Sequence, residues 1–204
     1  MVYFIRHAQS EANKDRYLAS RLPVPITPEG LADSKVIASQ LSEIVQIKKI
    51  ISSPLVRAVQ TAQPFADEYF LDIVTDPRLE EQNLGVFTGL TYDEVKTMKG
   101  YETNPLNRWN WKPSQGESYS QVADRVLSFF MDREHELKTQ DVLIVTHAVT
   151  FRMIRAVLED SLPAYPESFP NNGEIWEVDF QGLGKKHQIR SIFLGKSKTF
   201  NHLP

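Results

Sequence analysis

The chain contains no cysteine, which excludes a disulfide framework, a thiolate metal site and a thiol nucleophile. No stretch approaches the roughly 18 apolar residues of a membrane span. At the start, Val2 to Ile5 is too short for a signal-peptide core and runs straight into Arg6 and His7, so a cytoplasmic location and no membrane partner are expected. There is no internal repeat, no low-complexity tract and no Gly/Ser linker. Charge of one sign is missing too: a net −3 argues against a nucleic-acid binder held by bulk positive charge.

What is present is an ordinary globular composition. At 204 residues, 41% hydrophobic and 24% charged, the chain reads as one domain. Such a length buries roughly 70% of the surface that the unfolded chain exposes, so no metal or disulfide staple is needed. The small net charge conceals a partition. Residues 1–60 carry 8 Lys/Arg against 5 Asp/Glu, residues 61–141 carry 8 against 15, and residues 142–204 carry 7 against 6. An anion site is therefore expected from the two ends of the chain rather than from its acidic middle.

Short apolar runs at Val2–Ile5, Lys49–Ser52 and Val142–Val145 predict buried parallel strands. Ile37, Leu41, Ile44 and Val45 repeat at helical spacing, as do Val122, Val126, Phe129 and Phe130. Thr27-Pro28 and Ser53-Pro54 each offer an N-cap followed by proline at the first helical position, and Ser118 with Gln121 offers a capping box. Alternating strands and helices predict an α/β fold, a three-layer α/β/α sandwich whose central sheet is mostly parallel. Ile175–Phe180 and Gln188–Phe193 add strands at an antiparallel edge. Residues 99–116 break the rhythm with Gly100, Pro105, Trp109, Trp111, Pro113 and Gly116. Such a segment either covers a site or makes a surface excursion with half-buried tryptophans.

In doubly wound sheets ligands bind beyond the carboxyl ends of the strands. There the sequence puts Arg6-His7, Ser52-Ser53 with Arg57 downstream, and Thr146-His147. His135, His187 and His202 lie in polar surroundings and read as solvated. His7 and His147 each end a buried strand; either alone would read as a structural histidine, but together with two arginines they indicate a site. Arginines would repel a divalent cation, and no His pair has metal spacing, so no metal is assigned. An anion fits better, because guanidinium groups fork onto phosphate oxygens and helix N-termini add N–H donors. A neutral imidazole in such a pocket is a nucleophile toward phosphorus.

Six segments in order carry a resemblance to a known family. Arg6-His7-Ala8-Gln9-Ser10-Glu11-Ala12-Asn13, Ile26-Thr27-Pro28-Glu29-Gly30, Ser52-Ser53-Pro54-Leu55-Val56-Arg57-Ala58-Val59-Gln60-Thr61-Ala62, Leu79-Glu80-Glu81-Gln82-Asn83-Leu84-Gly85-Val86-Phe87-Thr88-Gly89, Gly116-Glu117-Ser118 and Val145-Thr146-His147-Ala148 resemble the signatures of the histidine phosphatase superfamily, the phosphoglycerate mutase-like proteins. Ala8 and Ala148 stand where the family usually has glycine, and Gln9 where it often has glutamate. Alanine at those two positions requires ordinary backbone angles.

The resemblance implies a single domain over 1–204 with a small cap-like insertion at about 90–116. It implies that His7 forms a phosphohistidine, that Arg6, Arg57 and His147 hold the phosphoryl oxygens, and that Glu81, four residues before Gly85, is the general acid. Asn13 and Ala148 would contact phosphate. Trp109 and Arg108, with Tyr101, Trp111 and Lys112, either meet the leaving group or pack the cap onto the sheet. The implied activity is metal- and cofactor-independent hydrolysis of a small-molecule phosphate monoester. Phosphoglycerate mutases carry a long insertion after the acidic segment, whereas only 26 residues separate Gly89 from Gly116 here. A mutase, a non-catalytic phosphate-binding module and, last, a metal hydrolase are the alternatives.

Overall fold

The computed structural model describes residues 1–195. Six strands form one sheet: β1 (Val2–Arg6), β2 (Lys49–Ser52), β3 (Ile73–Thr75), β4 (Val142–Thr146), β5 (Ile175–Val178) and β6 (Ile189–Phe193). Their order across the sheet is β3-β2-β4-β1-β5-β6. The first four are parallel to one another, and β5 runs antiparallel to both β1 and β6.

Helices cover both faces because strand residues alternate between them. Val2, Phe4, Val142 and Ile144 pack with α5 (Tyr119–Thr139) and α6 (Ala148–Leu158). Tyr3, Ile5, Leu143 and Val145 face the other way, against α2 (Pro28–Ser42) and α3 (Val56–Tyr69). Central strands buried on both sides explain why the sequence shows continuous apolar runs instead of alternation. Two shorter helices, α1 (Glu11–Asp15) and α4 (Tyr92–Thr97), lie on the connections.

Helix starts follow the expected chemistry at two of three positions. Thr27 caps α2 by accepting from the Gly30 N–H at 3.0 Å. At Gly30 itself a Cβ would lie 2.5 Å from the Gln9 carbonyl oxygen, so no side chain fits. Ser118 and Gln121 form the capping box of α5. Ser53-Pro54, however, does not open α3, which begins at Val56 after Leu55. The Ser53 hydroxyl accepts from the Leu55 N–H at 3.3 Å and is bonded to the His147 ring at 2.7 Å, and the Leu55 carbonyl receives the first helical N–H groups.

Two further expectations are corrected. The helix expected to include Ile44 and Val45 ends at Ser42, because three N–H groups, those of Glu43, Ile44 and Val45, crowd onto the Leu41 carbonyl and turn the chain toward β2. Ile44 is consequently 74% exposed. His187 is buried, not solvated: its ring stacks on Phe180 at 5.1 Å, and both ring nitrogens are bonded, to the Leu158 carbonyl and the Gln181 N–H. Lys185 and Lys186 beside it are exposed, so local polarity hid the inward turn. His135 is exposed, and His202 lies outside the described residues.

Candidate active site at the carboxyl ends of the parallel strands

The sheet ladder runs one residue past the strands at this end. The His7 N–H bonds the Thr146 carbonyl and the Ser53 N–H bonds the Val145 carbonyl, each at 2.9 Å. That register sets His7 beside His147, with ring centroids 5.1 Å apart. His7 is 3% exposed, Arg57 2% and His147 fully buried. His7 Nδ1 lies 2.7 Å from the Ala8 carbonyl oxygen, so Nδ1 must carry the proton and donate it. The lone pair is then on Nε2, which Arg57 Nε approaches at 3.3 Å. Arg57 is tied down by the Ser20 and Leu22 carbonyls, at 2.7 and 3.2 Å, and Arg6 Nη1 by the Pro170 carbonyl at 2.7 Å.

This surrounding determines charge. Burial, then the guanidiniums of Arg57 and Arg6, push the His7 pKa well below its ordinary 6.5. His147 is pushed down in the same way by burial, Arg57 and His7. Burial also lowers Arg57 to about 10, against the attraction of Glu81, so it stays charged at neutral pH. Both imidazoles are neutral in the fold, while in the unfolded chain they protonate below about pH 6.5. Their contribution to stability is therefore complete above about pH 6.5 and is lost as pH falls toward the folded values, by about 1.4 kcal/mol per pH unit for each ring. Melting curves in phosphate-free buffer from pH 7 to 5 should fall steeply, and His147→Gln should flatten the slope by one ring's share. An unchanged slope would mean that His147 titrates alike in both states.

Glu81 sits at the N-terminus of α6, where the Val149 N–H donates to Oε1 at 3.1 Å and the Gln82 N–H to the same oxygen at 2.9 Å. Glu80 is held elsewhere, paired with Arg21 at 3.0 Å. Glu117 accepts from Arg21, Arg125 and the Asn83 N–H, tying the loop that holds Arg57 to the loop that carries Glu81. Arg6, His7, Asn13, Arg57, Glu81 and Ala148 line one pocket open to solvent, with Tyr92, Tyr101 and Arg108 also on its walls. His147 stands behind His7. Its Nε2 meets Ser53, and its Nδ1 is buried with no partner among the described residues. A buried donor or acceptor left so costs about 1–3 kcal/mol unless a ligand completes it.

A family model described as the histidine phosphatase superfamily (branch 1) matches residues 2–190. The chain belongs to this superfamily. Its members include phosphatases and mutases acting on phosphorylated substrates, and both kinds are similar to this chain. Phosphoserine phosphatase 1 of Hydrogenobacter thermophilus is 30% identical, over 76% of this chain and 74% of its own. The 2,3-bisphosphoglycerate-dependent phosphoglycerate mutase of Rhizobium etli is 28% identical, over 76% and 78%. The solved structure of a mycobacterial glucosyl-3-phosphoglycerate phosphatase has the same fold, with a TM-score of 0.78 at 21% identity over 96% of this chain and 98% of that one.

Within the superfamily pattern the departures are structurally quiet. Neither Ala8 nor Ala148 has a positive φ. Ala8 donates its N–H to Thr61 Oγ1 at 2.9 Å, and Ala148 is the first residue of α6. Gln9 bonds the Thr27 hydroxyl at 3.2 Å, away from the pocket lining. Among the residues expected at the substrate, Asn13 and Arg108 reach the pocket, but Trp109 does not line it. The Trp109 ring stacks on Tyr165 at 6.2 Å and packs on the α5–α6 side of the core, because apolar area is buried there. Trp111 stacks on Phe87 and donates Nε1–H to the Gly100 carbonyl. The residues that hold the arginines, Ser20, Leu22 and Pro170, act through backbone carbonyls, which leave no side-chain signal in a sequence.

Proposed function

We propose that this protein hydrolyses phosphate monoesters through a phosphohistidine on His7. The observation that carries this reading is the His7 ring itself: neutral, its Nδ1 proton committed to Ala8, its Nε2 lone pair beside Arg57 in a cationic pocket. In the first half-reaction Nε2 bonds to phosphorus as the ester P–O bond breaks, and a proton from Glu81 passes to the leaving oxygen. Arg6, Arg57 and the Nδ1 of His147 offset the charge on the equatorial oxygens, with the Asn13 amide and the α6 N-terminus at Ala148 as further donors. In the second, water attacks phosphorus as the P–N bond breaks, and its proton returns to the Glu81 carboxylate. Phosphate and the neutral imidazole remain. The chemistry calls on no metal or cofactor, because the arginines supply the positive charge.

Residues 90–116 serve in this reading as a small cap over the single domain, bringing Tyr92, Tyr101 and Arg108 to the leaving group. Arg108 has no carboxylate partner among the described residues; it bonds the Glu102 carbonyl and the Tyr101 hydroxyl and lies 5.1 Å over the Tyr101 ring. A leaving group that bears an anion would complete it. With 3-phosphoglycerate, release of inorganic phosphate is expected to exceed isomerisation, since the pocket is open and the cap short. Arg108→Gln should raise KM for this ester about tenfold or more, with little change for an ester of a neutral alcohol. Isomerisation outpacing phosphate release would favour the mutase reading, and KM values unchanged by Arg108→Gln would remove Arg108 from the leaving-group site.

A further inference from the structure

A second asparagine, outside all six signature segments, touches the machinery at three points. Asn172 lies just before β5 and is 4% exposed. Its Nδ2 donates to the His7 carbonyl at 2.7 Å and to Asn13 Oδ1 at 3.1 Å, with a longer contact of 3.3 Å to the Ala8 carbonyl. The Ala8 carbonyl is also the acceptor that fixes the His7 proton on Nδ1. Asn13 Oδ1 further accepts from the Ser10 N–H and hydroxyl, both at 3.1 Å. With that oxygen saturated from behind, the amide N–H₂ end is what Asn13 has left for the pocket it lines.

The orientation of the Asn172 amide is chemically forced, since its oxygen in the same place would meet three other oxygens. Its own Oδ1 is buried without a partner among the described residues. A buried acceptor left bare is costly, so fold stability alone is a poor explanation for this side chain. The same stretch also grips Arg6: the Gly173 N–H bonds the Arg6 carbonyl at 3.0 Å, and the Glu174 carbonyl accepts the Arg6 N–H at 3.3 Å.

We propose that Asn172 is a positioning residue that acts through His7, Ala8 and Asn13. It holds the Ala8 carbonyl where it selects the Nδ1–H tautomer of His7, and it turns the Asn13 amide toward the phosphoryl group. This inference rests on the proposed phosphohistidine reading.

The experiment compares wild type with Asn172→Ala and Asn172→Asp, each confirmed folded by circular dichroism and melting temperature. Phosphoenzyme formation at saturating substrate should slow roughly 10- to 100-fold in Asn172→Ala, the scale expected when a reacting group is misplaced by about an ångström. Nitrogen-15 NMR of the imidazoles should show one His7 tautomer in wild type and a mixture in the variant, a change that a purely structural residue would not produce. In Asn172→Asp an ionised carboxylate has no proton to donate whereas the protonated acid has one, so activity relative to wild type should rise as pH falls. Wild-type rates and an unmixed tautomer in folded Asn172→Ala would overturn the proposal. If that variant does not fold, an Asn172→Asp activity ratio that stays flat with pH would overturn it instead. Failure of wild type to become labelled at His7 would sink the phosphohistidine reading, while the tautomer measurement would still test Asn172.

Discussion

Replacing His7 with alanine is expected to reduce phosphate-monoester hydrolysis by on the order of 10⁴-fold or more and to abolish the acid-labile phosphoenzyme, because among the described residues no second imidazole lines the pocket. His147 cannot substitute: it is fully buried behind His7, and its Nε2 is engaged by Ser53. Arg6, Arg57 and His147 would remain to hold inorganic phosphate, so binding measured by calorimetry should outlast turnover. Loss of binding together with turnover would point to collapse of the pocket, and near-wild-type turnover would dismiss His7 as the nucleophile.

The second large effect is expected at Glu81. Glu81→Gln keeps the shape and can still hydrogen bond, but it cannot deliver a proton to the leaving oxygen. A poor leaving group such as an alkoxide depends on that proton, so alkyl phosphates should lose about 10²- to 10⁴-fold. p-Nitrophenyl phosphate, whose phenolate leaves without help, should lose much less in the first step. Equal losses on both esters would contradict a general-acid role. Glu80→Gln provides the contrast: its carboxylate is paired with Arg21 and does not line the pocket, so its effect should not depend on the leaving group.

Much of the fold was legible because its signals are local. Val2–Ile5 and Val142–Val145 are apolar throughout, as buried central strands must be, and caps such as Thr27 and Ser118 act within three residues of themselves. Where the reading failed, a distant partner intervened. Ser53 resembles the N-cap of α3, but its hydroxyl is shared between the Leu55 N–H and His147, 94 residues later, and the helix opens only at Val56. His187 sits among lysines in sequence and beneath Phe180 in space. For Trp109 the sequence left a substrate contact and a packing role both open, and packing on Tyr165, a residue no local pattern connects to it, decides for the second.

The sequence by itself determined the α/β class and the superfamily, and it singled out Arg6, His7, Arg57, Glu81 and His147 as candidates, since strand ends and ordered segments are properties of the chain alone. Only the tertiary structure decided how these groups are charged and aimed. The tautomer of His7 depends on the Ala8 carbonyl and on Asn172, the anchoring of Glu81 on the N–H groups of Gln82 and Val149, and the neutrality of both imidazoles on burial beside two guanidiniums. Hydrogen-bond direction and desolvation arise between residues brought together by folding, and the order of residues along the chain does not encode them one position at a time.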